Sequence, residues 1–172
     1  LVVERASGMD FPTFLQQRIF QPLGMTETLA YVEGGPAVKH RAYGHSAQAA
    51  GWARTDQSLT SAVLGDGGIY SSIRDLARWD AALYDQRLLS DASRTLMFSP
   101  LVATDDPDVR YGLGWRITGD MAWHSGETIG FRNVIVRYPG QRLTVVVLSN
   151  RDAPEPRATA VAIAGLFLEQ AP

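Results

Sequence analysis

The side chains with the most chemistry to offer stand together in Trp123-His124-Ser125-Gly126-Glu127-Thr128-Ile129-Gly130-Phe131. His124 brings an imidazole, whose ordinary pKa lies close to neutrality. Ser125 adds a hydroxyl, and Glu127 adds a carboxylate and a backbone N–H. Gly126 and Gly130 carry no Cβ, so a ligand can come close to the backbone there. A histidine beside a tryptophan is more often structural than functional, and neither composition nor spacing alone identifies a reaction. The cluster does stand at the entrance of a strand, where a sheet can hold polar groups on a rigid support.

The elements around it follow from pattern. Met121 to His124 reads as a short segment entering a Gly-bounded loop. Phe131 to Tyr138 leaves as an apolar strand, Pro139-Gly140 turns the chain, and Leu143 to Ser149 returns, which predicts a β-hairpin. Tyr111 to Ile117 reads as one earlier strand turned by Gly119-Asp120. Pro154 and Pro156 open a C-terminal helix whose Val161, Ile163, Leu166, Phe167 and Leu168 are expected to pack.

The first half reads as helical. Leu1 to Ala6 ends at Ser7-Gly8, a glycine stop. Asp10 caps a helix with Pro12 in its first turn and Phe11, Phe14, Leu15 and Ile19 on one face. Thr26 to about Leu59 reads as a long loop excursion. The Gly-rich turn Gly65 to Ser72 leads into a helix over Ile73 to Leu83, capped by Ser72 with Asp75 three residues on. Its buried stripe is expected to be Ile73, Leu76, Ala77 and Leu83. A phosphate-binding loop is disfavoured, since no Gly-Lys-Ser/Thr follows. Asp91 to Phe98 is a short helix. The acidic loop Thr104 to Asp108 lacks the closing Glu of a calcium loop.

At 172 residues, 45% hydrophobic and 20% charged, the chain can build a core. It is expected to be a single partial domain, mainly helix and loop over 1–110, with antiparallel strands and a helix over 111–172. A net charge of −2 without a Lys/Arg run argues against nucleic acid as a partner. Cysteine is absent, which excludes disulfide and thiolate chemistry. No uncharged run reaches the roughly 20 residues of a membrane span. The opening Leu-Val-Val-Glu-Arg, in mid-pattern and without Met, leads us to expect a piece of a longer protein.

Several stretches, in order, resemble the C-terminal part of the serine β-lactamase-like family: class C β-lactamases, D-alanyl-D-alanine carboxypeptidases and related esterases. They are Phe14-Leu15 through Arg18-Ile19-Phe20-Gln21-Pro22-Leu23-Gly24-Met25-Thr26-Glu27-Thr28, then Gly65 to Ser72 with Asp75-Leu76-Ala77-Arg78-Trp79. Tyr111-Gly112-Leu113-Gly114-Trp115, His124-Ser125-Gly126, Gly130-Phe131 and Val145 to Asp152 follow. The resemblance implies an α+β fold, an antiparallel sheet packed against helices, with the N-terminal part of that fold missing here.

It also implies roles. His124, Ser125 and Gly126 hold the positions of the third active-site motif, Lys-Thr-Gly or His-x-Gly. His124 would place a polar or cationic group near the nucleophile, and Ser125 would bond the substrate carboxylate or the catalytic network. Gly126 would let substrate lie along the strand, and the Glu127 N–H would serve the oxyanion hole. Gly67 and Gly68 are candidates for the facing rim of the groove. The histidine favours the esterase-like and peptidase-like members over β-lactamases. The family's Ser-x-x-Lys nucleophile and its Tyr-x-Asn-type base lie upstream. Ser71 with Arg74 is the one Ser followed three on by a basic residue, and it falls in a segment matched elsewhere. The nucleophile is therefore expected outside this chain.

No cofactor and no metal is implied. The expected partners are a small-molecule or peptide substrate, and either a second copy or the missing N-terminal segment along the strand Leu143–Leu148. The resemblance points to a periplasmic or extracellular setting. A binding module that kept the groove without the chemistry, and a structural domain with an incidental His124, are the alternatives.

Overall fold

A computed structural model describes residues 1–56 and 63–169. In chain order its elements are α1 (Val2–Ser7), α2 (Phe11–Leu15) continued by a π turn (Gln16–Phe20), β1 (Leu29–Ala30), β2 (His45–Gln48), β3 (Gly51–Arg54), β4 (Ile69–Tyr70) and α3 (Ile73–Ala82). Then come α4 (Asp91–Met97), β5 (Val102–Ala103), β6 (Arg110–Tyr111), β7 (Arg116–Thr118), β8 (Met121–Thr128), β9 (Phe131–Tyr138), β10 (Leu143–Ser149) and α5 (Arg157–Leu168). The chain divides into two compact units, one of residues 1–42 and 57–89, the other of 43–56 and 90–172.

In the first unit the helix signals act as written. Gly8 closes α1 at φ 71°, and the Asp10 carboxylate accepts the Thr13 N–H at 2.9 Å to start α2. Leu15, Phe20, Leu23 and Met25 are buried together with Ala82, and Phe11, Phe14, Ile19 and Trp79 pack against them. The stripe expected on α3 packs only in part, with Leu83 buried and Leu76 half-buried. Ile73 and Ala77 are exposed, and the inward positions are Asp75, Trp79, Ala82 and Leu83. The cause is Asp75, a carboxylate in a hydrophobic pattern. It accepts the Glu27 N–H at 2.7 Å and the Thr28 hydroxyl at 2.8 Å, and pairs with Arg78 at 2.5 Å. A buried charge needs such partners, and meeting them sets the helix rotation.

The excursion expected from Thr26 to about Leu59 also contains structure. β1 pairs with β4, and β2 with β3 form a hairpin; residues 57–59 lie outside the described residues. These strands are short and rich in Ala, Gly and polar residues, so they carry no alternating signal.

The second unit is built on one sheet in the order β10-β9-β8-β7-β6-β5, every neighbour antiparallel. The β9–β10 hairpin forms as expected, Leu143 opposite Tyr138 and Ser149 opposite Arg132. Three expectations change. Tyr111 to Ile117 is not one strand: β6 and β7 pair with each other, Tyr111 opposite Arg116, across a tight turn in which the Gly112 N–H donates to the Trp115 carbonyl at 2.7 Å. A Cβ at Gly112 would stand 2.4 Å from the Met97 carbonyl oxygen, so only glycine fits the turn. Next, β8 runs unbroken through the expected Gly-bounded loop, leaving only Ile129-Gly130 as the turn.

The last change concerns α5. Ala160 and Ala164 are fully buried, while Leu166 and Phe167 are about 60% exposed. The helix is apolar nearly all round, so periodicity does not pick its inner face. Small side chains do, because they let α5 lie close on β9 and β10. Ala160 joins Val109, Met121, Trp123, Val134 and Val136 in the core there.

Candidate active site

β8 holds the candidate residues. Its ladder with β9 is regular from Ala122–Arg137 to Thr128–Phe131, so side chains alternate strictly between the two sheet faces. Trp123 lies in the core under α5, which puts Ser125 and Glu127 on that face. His124, Gly126 and Thr128 occupy the opposite face. Alternation thus divides the expected cluster: His124 and Gly126 share a face, and Ser125 projects away from them.

His124 is half-buried. Its Nε2 lies 2.9 Å from the Tyr111 hydroxyl, and the two rings meet edge to face at 6.0 Å. Burial lowers the His124 pKa below its ordinary value of 6.5. The Ser125 backbone opposes this by favouring the protonated ring, and the Arg116 guanidinium reinforces it by charge repulsion. The Arg116 Cζ stands 5.3 Å from the Trp123 ring and 5.9 Å from the Tyr111 ring. The imidazole is therefore poised to be neutral around neutral pH, a base or hydrogen-bonding group rather than a cation.

A Cβ built at Gly126 meets nothing within 4 Å, so space is open beside the strand. On the α5 face Ser125 lines a shallow cavity of about 250 Å³ with Trp123, Glu127, Arg132 and Arg157. The Glu127 carboxylate pairs with Arg132 at 3.2 Å, and the same guanidinium donates to the Thr128 and Phe131 carbonyls. That clamp braces the end of the hairpin. Gly130 and Gly44 brace it from the other side. A Cβ on Gly130 would be 2.6 Å from the Gly44 carbonyl carbon, and the Gly130 carbonyl accepts the His45 N–H.

Gly67 and Gly68 belong to the first unit. Gly68 has φ 78°, and its carbonyl accepts the Tyr31 N–H at 2.7 Å. Ser71 is there too, its hydroxyl 2.8 Å from that of Thr28, inside the Asp75 network. Three residues on stands Arg74, not the lysine of a Ser-x-x-Lys. The sole lysine, Lys39, has Pro36 three residues before it, so the 172 residues contain no Ser-x-x-Lys. Among the described residues no three His, Cys, Asp or Glu side chains are grouped to hold a metal, and no helix is long and apolar enough to cross a membrane.

Sequence reasoning placed Tyr111 in a strand and in a stretch that resembles the family, and gave it no role in the site. Its role beside His124 depends on the β6–β7 turn, and the one available signal was the Gly112–Gly114 pair immediately after it.

The fold and strand arrangement have relatives. The Beta-lactamase family profile matches residues 1–168. Penicillin-binding protein 4* of Bacillus subtilis is 31% identical over 88% of this chain, which covers 37% of that protein. A D-aminopeptidase of Gluconobacter oxydans is 24% identical over 87% of this chain and 29% of its own length. The chain thus spans about a third of the length of these curated relatives. Among solved structures, a penicillin-binding protein from Bacillus halodurans superposes with a TM-score of 0.81 at 27% identity, over 97% of this chain and 52% of that one. An octameric penicillin-binding protein homologue from Pyrococcus abyssi matches the fold at a TM-score of 0.87, over 98% of this chain and 40% of that one. On the profile match across nearly its whole length, this chain belongs to the β-lactamase family.

Proposed function

We propose that the chain supplies one wall of a serine-hydrolase active site that cleaves an amide or ester through an acyl-enzyme, and that the attacking serine lies outside these residues. The observation that carries this reading is the exposed edge of β8 beside Gly126. Thr128–Phe131 closes a two-residue turn and is a hydrogen-bonded pair, so ladder alternation directs the N–H groups of Ser125 and Glu127 away from β9. On that side β7 reaches only Trp123 among the described strand pairings. The Glu127 N–H is then a donor facing the open space beside His124. A donor of this kind stabilises an acyl-transfer transition state by about 2.7–4 kcal/mol.

In this reading His124 is the polar group beside the nucleophile, and Gly126 gives substrate room along the strand. Ser125 lies on the far face, where it lines the shallow cavity with Trp123 and Arg157. The chain's D-aminopeptidase and penicillin-binding relatives favour a peptide-like amide as substrate.

The test is turnover. The 172-residue chain is expected to leave nitrocefin and p-nitrophenyl esters at background, for want of a nucleophile and its base. Turnover above background by this chain would contradict the reading. The alternative, a ligand-binding module on the same fold, is favoured if the parent reading frame carries no Ser-x-x-Lys.

A further inference from the structure

We propose that Tyr111 is the positioning residue of this site: its hydroxyl donates to Nε2 of His124 and fixes both the ring orientation and the tautomer, with the proton on Nδ1. The inference rests on the reading of β8 as the active-site wall and adds a residue that the family match does not assign. Three observations carry it.

The first is the contact itself, 2.9 Å between Tyr111 Oη and His124 Nε2. A neutral imidazole has one bare nitrogen, and a phenol O–H is a suitable donor to it. The second is the charge on the ring. Burial lowers the His124 pKa, so the ring is a neutral imidazole with one bare nitrogen, and Nε2 is the nitrogen with a phenol O–H beside it. Arg116, on β7, is the charged group acting on the ring, and it too disfavours a second proton.

The third is the rigidity of the Tyr111 backbone. Its carbonyl accepts the Leu101 N–H at 3.1 Å, and it is paired with both Val102 and Arg116. The next residue, Gly112, is wedged against the Met97 carbonyl. A tyrosine so held presents its hydroxyl at a fixed place, the arrangement a site needs to orient a histidine.

The consequence is chemical. With its proton committed to Nε2, the Tyr111 hydroxyl oxygen keeps its lone pairs to accept from another donor. His124 then works as a neutral acceptor relayed through Tyr111, rather than as a stand-in for a cation.

Long-range ¹H–¹⁵N spectra of the protein test this without any activity assay, the three histidines being assigned by replacing each in turn. The expected result in the wild type is His124 with a protonated Nδ1 and an unprotonated Nε2. In Tyr111→Phe the ring is expected to populate both tautomers and its titration midpoint to move upward, since the bond favouring the neutral ring is gone. An Nε2–H tautomer in the wild type would overturn the proposal, and so would a tautomer and midpoint unchanged in Tyr111→Phe. The wild-type tautomer decides the matter even if the variant fails to fold. A protein that shows the expected tautomer yet comes from a parent that hydrolyses nothing would instead refute the hydrolase reading and leave the Tyr111–His124 lock standing.

Discussion

At the scale of the residue, His124 links protonation to stability. Its pKa in the folded chain lies below the ordinary 6.5 because the ring is half-buried. The unfolded chain therefore binds more protons than the folded one as pH falls. The stabilising contribution is complete above the unfolded value and is lost as pH drops from there through the lower folded value. Urea midpoints compared at about pH 7.5 and about pH 5 should fall more in the wild type than in His124→Gln; an equal fall in both would contradict the shift. The glycines separate function from folding. Gly126 has open space, so Gly126→Ala should change stability by no more than about 0.5 kcal/mol while reducing penicillin labelling of the parent protein. Gly130, at φ 79° with its absent Cβ 2.6 Å from Gly44, should behave oppositely, with Gly130→Ala costing more than about 1 kcal/mol by urea denaturation.

At the scale of the element, the sequence exposed what local chemistry controls. Asp10, Ser72 and Ser90 all cap the helices they precede, and each side chain accepts the N–H three residues on. The β9–β10 hairpin was legible from two apolar runs and a Pro-Gly turn. What stayed hidden depended on tertiary partners. Asp75 reads as a helix-start residue, and only Glu27 and Thr28, far off in sequence, make it a core residue. The two alanines of α5 look inert beside Leu166 and Phe167, yet they decide which face packs. Ala160→Leu should therefore destabilise by about 1–3 kcal/mol, whereas Phe167→Glu should stay within about 0.5 kcal/mol. Comparable costs would mean that the buried face is assigned wrongly. The outer side of β10 has no strand paired with it among the described residues. Such an edge invites pairing, so its amides should exchange slowly with solvent, protected by a second copy or by a segment of the parent. Exchange as fast as loop amides in a monomeric sample would refute that.

At the scale of the whole molecule, membership of the β-lactamase family rests on the profile match over residues 1–168, while the chain spans about a third of its curated relatives. The candidate site was legible as a cluster from His124, Ser125 and Gly126, but not in its geometry. Strand alternation across β8, unreadable while the segment passed for a loop, separates Ser125 from His124 and brings Tyr111 to the imidazole. The 172 residues contain no Ser-x-x-Lys, and the proposed function therefore places the nucleophile outside them. Intact-mass analysis after treatment with a fluorophosphonate probe, followed by peptide mapping, tests this most directly. The account predicts no adduct on this chain, and one adduct on the protein of the parent reading frame, at a serine outside residues 1–172. A stoichiometric adduct within this chain, with Ser71 the first residue to inspect, would contradict it.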